Sequence, residues 1–376
     1  MAGLGAEPFG AGHGTDRRPA RRLRAAAPGP GLWCNPGMRS WPSPVSLLPS
    51  PLPLLRHLPL LPARLVRRLR LSFRPRSRLS RPTLRFLLLP ALALASGAAS
   101  AQAVAVTDDG GAMVQLAAPA RRIVSLAPNL TEMVFAVGAG ERLVGVGRYS
   151  DQPEAARALP VLGDAHALNL EAISQLTPDL VLVWKSGTPQ RQRDALRRLG
   201  LPLFESEIRS VEVIASTLLR LGTLTGNPQP ARQAAETMRQ QWSALRQAHQ
   251  GRPAVRVFYQ VWDAPLMTFN GQHLVSQALH ACGASSGFDT QAALTPTVSR
   301  EAVLAFNPQL ILASESAPEL DTLAAWRAFP QLAAVQLGQL QRVDDAALTR
   351  MSPRFVAAAT RLCASVEQAR RLLVEK

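Results

Sequence analysis

The sequence predicts an α/β protein with two similar lobes, each a mostly parallel sheet flanked by helices, joined by one long connecting helix. The first observation is an internal repeat. Residues 169–183 (NLEAISQLTPDLVLV) and 299–313 (SREAVLAFNPQLILA) share a Glu-Ala pair, a later Pro and an apolar run. Their separation of 130 residues far exceeds a solenoid period, so it indicates two domains rather than stacked units. The second observation is the alternation of apolar strands with helices, which is typical of parallel sheets.

The start of the chain differs in composition from the rest. Residues 1–103 hold 16 arginines against 2 acidic residues, whereas residues 104–376 hold 26 basic against 24 acidic residues. The formal net charge of +16 therefore belongs almost entirely to this start. Because the remainder is nearly neutral, we expect no nucleic-acid partner.

Two segments make up this basic start. Residues 1–80 are rich in Pro, Arg, Gly and Leu without a sustained period, so we interpret them as a non-native or disordered extension. Residues 81–103 have the basic beginning, apolar core and Ala-Gln-Ala end of a secretory signal peptide. The apolar core of about ten residues is too short to span a bilayer. We therefore expect a mature, soluble chain that begins near Val104 and is exported to the periplasm.

The mature chain is expected to contain lobe one at 121–225, a connecting helix at 226–250 and lobe two at 252–376. The apolar runs predict strands at 122–127, 143–147, 180–184, 202–204, 255–259, 310–313 and 340–343. Helices are predicted after Asn169 and at 131–137, 190–199, 211–221, 274–282, 299–306, 321–328 and 354–373. The connecting helix carries an apolar stripe at helical spacing, formed by Ala231, Ala234, Ala235, Met238, Trp242 and Leu245.

Five segments carry a resemblance to a known family. They are RIVSLAPNLTE at 122–132, VGVGRYSD at 144–151, NLE at 169–171 with PDLVLVW at 178–184, VSRE at 298–301 and SPR at 352–354. Together they resemble the solute-binding proteins of bacterial cobalamin (vitamin B12) uptake transporters, the class whose lobes are joined by one rigid helix. The resemblance extends over about residues 121–372. It implies that a monomeric protein captures cobalamin or a related corrinoid between its lobes and delivers it to the permease of an ABC importer.

The resemblance also implies roles for individual residues. Glu171 and Glu301, one in each repeat, would dock the permease, although each carboxylate could instead only complement its helix dipole. Cys282 and Cys363 match the family's cysteines, and an even cysteine count in an exported chain favours a disulfide over two buried thiols. Ligand contacts are expected from Pro128, Asn129, Tyr149, Trp184, Trp262 and Phe269. For the aromatic residues among these, the alternative is packing within their own lobe.

The ligand itself is less sharply indicated. Family aromatic positions are occupied here by Ala165 or His166, by Thr295 and by residues 346–348. Haem is an alternative ligand, with Tyr149 or His166 as an iron ligand. A ferric siderophore is another, and as an anion it would prefer an arginine-lined cleft, for which Arg148, Arg350 and Arg354 are the candidates.

Enzyme and metal sites find little support in the sequence. The histidines have no metal-ligand spacing, and no nucleophile elbow or phosphate-binding loop is present. We therefore expect no catalytic residues, no bound metal and no resident cofactor, with cobalamin as transported ligand.

Overall fold

The computed structural model describes residues 102–314, 321–344 and 346–375. The predictions for residues 1–80 and for nearly all of the signal peptide at 81–103 lie outside the described residues. Within the described ranges, no helix has both the length and the apolar character needed to cross a membrane.

Lobe one is built on a four-stranded parallel sheet. Its elements are β1 (Val104–Thr107), β2 (Met113–Leu116), β3 (Ile123–Ser125), α1 (Pro128–Ala136), β4 (Leu143–Val146), α2 (Leu170–Gln175), β5 (Leu180–Trp184), α3 (Gln190–Arg198), β6 (Leu203–Ser206) and α4 (Val211–Leu224). Short 3₁₀ helices cover Gly140–Arg142 and Glu154–Ala158. The strand order is β4-β3-β5-β6, with every pair parallel.

Lobe two repeats this arrangement after the long helix α5 (Pro228–His249). Its elements are β7 (Val255–Gln260), β8 (Trp262–Asp263), β9 (Leu266–Met267), α6 (Leu274–Ala281), β10 (Ala284–Ser285), α7 (Arg300–Phe306), β11 (Leu310–Ser314), a 3₁₀ helix (Ala324–Ala328), α8 (Ala333–Gln336), β12 (Leu340–Val343), α9 (Ala346–Thr349) and α10 (Phe355–Val374). The strand order β10-β7-β11-β12 is again parallel. Both sheets thus place their second strand in sequence at one edge, beside the first, which confirms the predicted fold class.

The internal repeat corresponds to α2–β5 in lobe one and α7–β11 in lobe two. Each helix ends in a left-handed residue directly before a proline: Thr177 has φ 43° and Asn307 has φ 48°. This conformation stops the helix, and the following proline cannot continue it. β5 and β11 then occupy equivalent places in their sheets, so the repeated sequence has a repeated structural role.

One hydrophobic cluster extends through both lobes. It contains alternate residues of β5 and β11, such as Leu182 and Leu312, and it includes Ala235 and Met238 of α5. The other faces of the two sheets pack separately: Val183 lies in a cluster under α2 and α3, and residues of β11 lie in another under α7 and α8. α5 is therefore part of the packed core rather than a free linker.

A β-hairpin precedes the start predicted for lobe one. β1 and β2 pair antiparallel, and Val114 and Leu116 join the shared hydrophobic cluster. The carboxylate of Asp108 in the turn accepts backbone N–H groups of Gly110 and Ala112 at 2.8 and 2.9 Å, and of Glu205 at 3.1 Å. Since Glu205 belongs to the edge strand β6, the turn covers an edge that would otherwise be open.

The predicted disulfide is present and closes lobe two. Cys282, at the end of α6, is bonded to Cys363 in α10 across 81 residues of sequence. Beside it, the guanidinium of buried Arg370 donates to the carbonyl oxygens of Pro253, Cys282 and Gly283 at 2.7 to 3.2 Å. A covalent bond and a charged hydrogen-bond donor thus attach α10 to the same turn.

Two predicted elements differ from the structure. The helix predicted at 131–137 begins three residues earlier, because α1 starts at Pro128. Proline is suited to the first helical position, where its missing N–H has no partner to lose. The segment predicted as a helix at 321–328 forms a 3₁₀ helix over Ala324–Ala328.

Candidate ligand-binding cleft

The carboxyl ends of the two sheets face each other across a cleft. In lobe one, the segments after β4 and β6 carry Asp151 and Arg209, and both reach lobe two. Arg350, which follows β12, bonds to Asp151, and the side-chain amide of Gln277 on α6 donates to the carbonyl oxygen of Arg209 at 2.8 Å. Ligands of open α/β sheets bind beyond the carboxyl ends of the strands. The inter-lobe cleft is therefore the candidate site.

An ionic cluster joins the lobes at this cleft. The Arg354 guanidinium donates two hydrogen bonds to the carboxylate of Glu132, at 2.9 and 2.7 Å. Arg350 lies between the carboxylates of Glu132, at 3.6 Å, and Asp151, to which it donates a hydrogen bond. The hydrogen bond from Arg350 lowers the pKa of Asp151, and that to Glu132 raises the pKa of Arg354. Each guanidinium thus has a carboxylate partner.

Two aromatic side chains stand exposed at strand ends. Tyr149, three residues after β4, is 56% exposed, and Trp262, two residues after β7, is 50% exposed. Tyr149 adopts a left-handed φ of 68°, a conformation unfavourable for a tyrosine. Residues held in such sparsely populated backbone conformations cluster at functional sites. Each lobe therefore contributes one large aromatic surface at its carboxyl edge.

The other predicted ligand contacts are less accessible. Trp184 ends β5 half-buried, and Gly187 lies so close to its ring that an added Cβ would come within 1.9 Å of it. Asn129 is largely buried in the first turn of α1, next to Pro128. Phe269 is only 2% exposed and lies between Tyr259 and His273, with its ring stacked on the imidazole at 3.6 Å. Phe269 is thus part of the lobe-two core, and contact with a ligand would require it to move.

A cavity of about 610 Å³ opens between the lobes. Its lining includes Arg209 of lobe one and four residues of lobe two, namely Gln272, Gln277, Ala292 and Leu294. Ligand pockets in proteins have volumes of about 300–1,000 Å³. The guanidinium of Arg209 is paired with Glu207 at 2.6 Å, so this wall offers amides and apolar groups together with a neutralised cation.

His273 is buried directly after Gln272, one of the residues that line this cavity. It caps α6, with Nδ1 accepting the backbone N–H of Val275 at 3.2 Å. Burial, with a smaller contribution from Arg209, lowers the pKa of His273 from 6.5 to about 3. The neutral ring is therefore the form that holds the cap and stacks on Phe269.

This pKa predicts a loss of stability in acid. In the unfolded chain the imidazole of His273 is protonated near pH 6.5, whereas in the folded protein it stays neutral down to about pH 3. Between these values His273 should therefore cost about 1.4 kcal/mol of unfolding free energy for each unit by which the pH falls. His273→Asn keeps a capping acceptor and removes the titration. In urea unfolding at pH 7, 5.5 and 4, we expect the wild-type advantage over this variant to shrink steadily. A constant difference would contradict the prediction.

The two predicted docking glutamates occupy equivalent, exposed positions. Glu171 lies in the first turn of α2, whose cap Asn169 accepts the Ala172 N–H at 3.0 Å. Glu301 lies in the first turn of α7, where the Ser299 hydroxyl accepts the Ala302 N–H at 3.1 Å. Backbone and Ser299 hydrogen bonds lower the pKa of Glu301. Both helices thus present an exposed carboxylate at their positive ends.

The ionic cluster was not foreseen from the sequence. Glu132 and Arg354 are 222 residues apart, and spacing along the chain carries no signal of their pairing. Across the described ranges, no group of three or more His, Cys, Asp or Glu residues is arranged to hold a metal ion.

Comparisons with known proteins agree with this architecture. A family model described as periplasmic binding protein matches residues 123–347. Vitamin B12-binding proteins of Yersinia pestis (strain Pestoides F) and Yersinia pseudotuberculosis (strain IP32953) are 37% identical over 244 residues, which is 65% of this chain and 85% of theirs.

Solved structures give the same result. The periplasmic vitamin B12 binding protein BtuF of Vibrio cholerae superposes with a TM-score of 0.62 at 34% identity, covering 67% of this chain and 98% of that one. The periplasmic heme-binding protein RhuT of Roseiflexus sp. RS-1 gives 0.60 at 25% identity, covering 66% and 99%. With more than half of its length matched by the family model, this chain belongs to the periplasmic binding protein family.

Proposed function

We propose that this protein works in the periplasm, where it captures cobalamin or a related corrinoid in its inter-lobe cleft and delivers it to the permease of an ABC importer. A corrin ring is a large, flat, mostly apolar disc fringed with amides. Its recognition calls for aromatic faces and uncharged polar groups rather than free cations. The similarity to vitamin B12-binding proteins over most of the mature chain supports this ligand class.

The ion pairs between cleft arginines and carboxylates are the observation that favours a corrinoid over an anionic siderophore. Arg350 and Arg354 bind Glu132 and Asp151, and Arg148 lies 3.5 Å from Asp164. An anionic siderophore would have to compete with these carboxylates, whereas a corrinoid would not. Tyr149 and Trp262, one in each lobe, also present exposed rings at strand ends, and aromatic faces suit a flat, mostly apolar ligand.

Haem is the second candidate. The hydroxyl of exposed Tyr149 is a possible iron ligand, and a heme-binding protein is among the similar structures. His166 is also exposed, in a loop whose backbone N–H groups bond to Asp164. Neither candidate involves a covalent step, so we propose a binding protein and not an enzyme.

Isothermal titration with cyanocobalamin, haemin and a ferric siderophore separates these ligands. We expect saturable one-to-one binding of the corrinoid and none of comparable affinity for the other two. Saturable haemin binding without corrinoid heat would reject the proposal and support an iron ligand at Tyr149.

Single aromatic substitutions test which surfaces contact the corrinoid. We expect Tyr149→Ala and Trp262→Ala each to weaken cyanocobalamin binding about tenfold, because a buried aromatic contact is worth roughly 1–2 kcal/mol. Leu199→Ala is the control, since exposed Leu199 directly follows α3 and precedes β6, and so lies away from the carboxyl ends of the strands. Unchanged affinity in both aromatic variants would move the ligand away from these residues.

Docking to the permease is proposed through Glu171 and Glu301. The two carboxylates occupy the same place in the two repeats and are both exposed. A pair of separated negative charges fixes the orientation of an approaching partner better than one charge does. A complementary permease surface would present a basic group to each lobe.

A further inference from the structure

The ionic cluster at the cleft connects two rigid elements that belong to different lobes. Glu132 lies on α1, among residues such as Leu130 and Met133 that are fully buried in lobe one. Arg354 directly precedes α10, which the disulfide at Cys363 attaches to α6 in lobe two. A contact between Glu132 and Arg354 therefore couples the positions of the two lobes, because Glu132 lies within a packed helix and Arg354 directly precedes another.

We propose that Glu132, Arg350 and Arg354 form a latch that sets the spacing of the two lobes in the ligand-free protein and slows ligand release. The effect on spacing stands on geometry alone. The effect on release rests on the proposed function, because it requires a ligand held between the lobes.

The latch is built to hold one geometry. Glu132 has a side chain only 5% exposed, and both of its oxygens accept hydrogen bonds from Arg354. A two-point guanidinium–carboxylate pair restricts angle as well as distance. If the lobes separated, this carboxylate would lose both hydrogen bonds from Arg354 and its ion pair with Arg350 at once. Separation of the lobes is therefore opposed by more than the loss of an exposed ion pair.

A neutral contact accompanies the latch. The amide of Gln277 on α6 donates to the carbonyl oxygen of Arg209, which follows β6. This contact uses elements other than α1 and α10, so it connects the lobes away from the latch. The neutral contact alone fixes one point, whereas both together resist rotation of the lobes about the connecting helix.

Lobe one contains an ion pair that matches the latch but lies within a single lobe. Glu205 on β6 has a side chain 3% exposed and binds two arginines, Arg193 at 2.7 Å and Arg197. The exposure of its partners, 11% and 44%, is close to the 21% and 42% of Arg350 and Arg354. Glu205→Gln therefore removes a comparable charge pair without touching the contact between lobes.

Spin labels at Gln175 and Ala305 provide the distance measurement. These exposed residues lie on α2 and just within α7, at equivalent places in the two repeats. Pulsed electron–electron double resonance on the spin-labelled Q175C/A305C protein, measured without ligand, reports the spacing of the lobes. Stopped-flow displacement of cyanocobalamin reports its dissociation rate.

We expect Glu132→Gln to lengthen or broaden the inter-label distance and to raise the cyanocobalamin dissociation rate at least about tenfold. Glu205→Gln should lower the melting temperature about as much as Glu132→Gln does. It should leave the inter-label distance and the cyanocobalamin dissociation rate unchanged. Arg354→Lys, which keeps the charge but loses the two-point geometry, should give a smaller change in the same direction and serves if Glu132→Gln folds poorly.

Two results would overturn the latch. One is an unchanged inter-label distance in both Glu132→Gln and Arg354→Lys, and the other is an equal change in Glu205→Gln. If the wild-type protein binds no cobalamin, the proposed function fails, but the distance measurement still decides whether the latch exists.

Discussion

Cobalamin uptake should fall to near background when Glu171 and Glu301 are both replaced by Lys. The measurement is accumulation of labelled cobalamin in cells whose only copy of this gene carries the two substitutions. Each carboxylate is exposed at a helix N-terminus, so a lysine there would meet a basic permease group as a like charge. Like charges brought together at an interface cost several kcal/mol, which corresponds to a loss of docking of more than about a hundredfold.

The same variant should bind cyanocobalamin with unchanged affinity, because neither glutamate is among the residues proposed to contact the ligand. Glu154→Lys with Glu236→Lys is the matched control, since both residues are exposed and the change in net charge is identical. Uptake equal to that of the control would show that the two glutamates serve only their own helices. Lost ligand binding would place them in the cleft.

Removal of the disulfide should cost about 4 kcal/mol of unfolding free energy. The bond closes a loop of 81 residues, and cross-links of this length restrict the unfolded chain by roughly that amount, within a general range of about 2–5 kcal/mol. Both sulfurs are buried, so Cys282→Ala with Cys363→Ala also leaves a small cavity. Urea unfolding at neutral pH measures the difference.

Reduction of the wild-type protein provides a second test without substitution. We expect the reduced protein to match the double variant to within about 1 kcal/mol, since the cavity is small. Arg370 still attaches α10 to the carbonyl oxygens of Cys282 and Gly283, so the reduced protein should remain folded. A loss below about 1 kcal/mol would mean that Arg370 alone maintains this junction.

Much of the fold could be predicted because its signals are local. The apolar run at 180–184 is a strand with the predicted bounds, and so is the one at 340–343. Caps such as Asn169 and Ser299, each followed by a helix and a proline, mark the repeat. The hairpin at 104–116 has alternating apolar residues around a Gly-Gly turn, but its strands of four residues are short enough to escape a search for long apolar runs.

The cleft was harder to predict because it depends on distant residues. Nothing near Phe269 in the sequence indicates that its ring stacks on His273, and local composition does not distinguish it from exposed Trp262. The partners of Arg350 and Arg354 lie about 200 residues earlier. Their neutralisation, which bears directly on the ligand, is visible only in the folded protein.

Because one hydrophobic cluster passes through α5 into both lobes, it determines whether the two lobes unfold together or separately. The cluster contains Leu182 of lobe one, Leu312 of lobe two and Ala235 of α5, so unfolding of either lobe would expose apolar surface of the helix that both lobes share. Two separately packed lobes would melt in two steps, but a shared core favours one cooperative transition. A protease would then meet either the intact protein or a fully unfolded chain. A half-digested remnant with one working lobe should not accumulate.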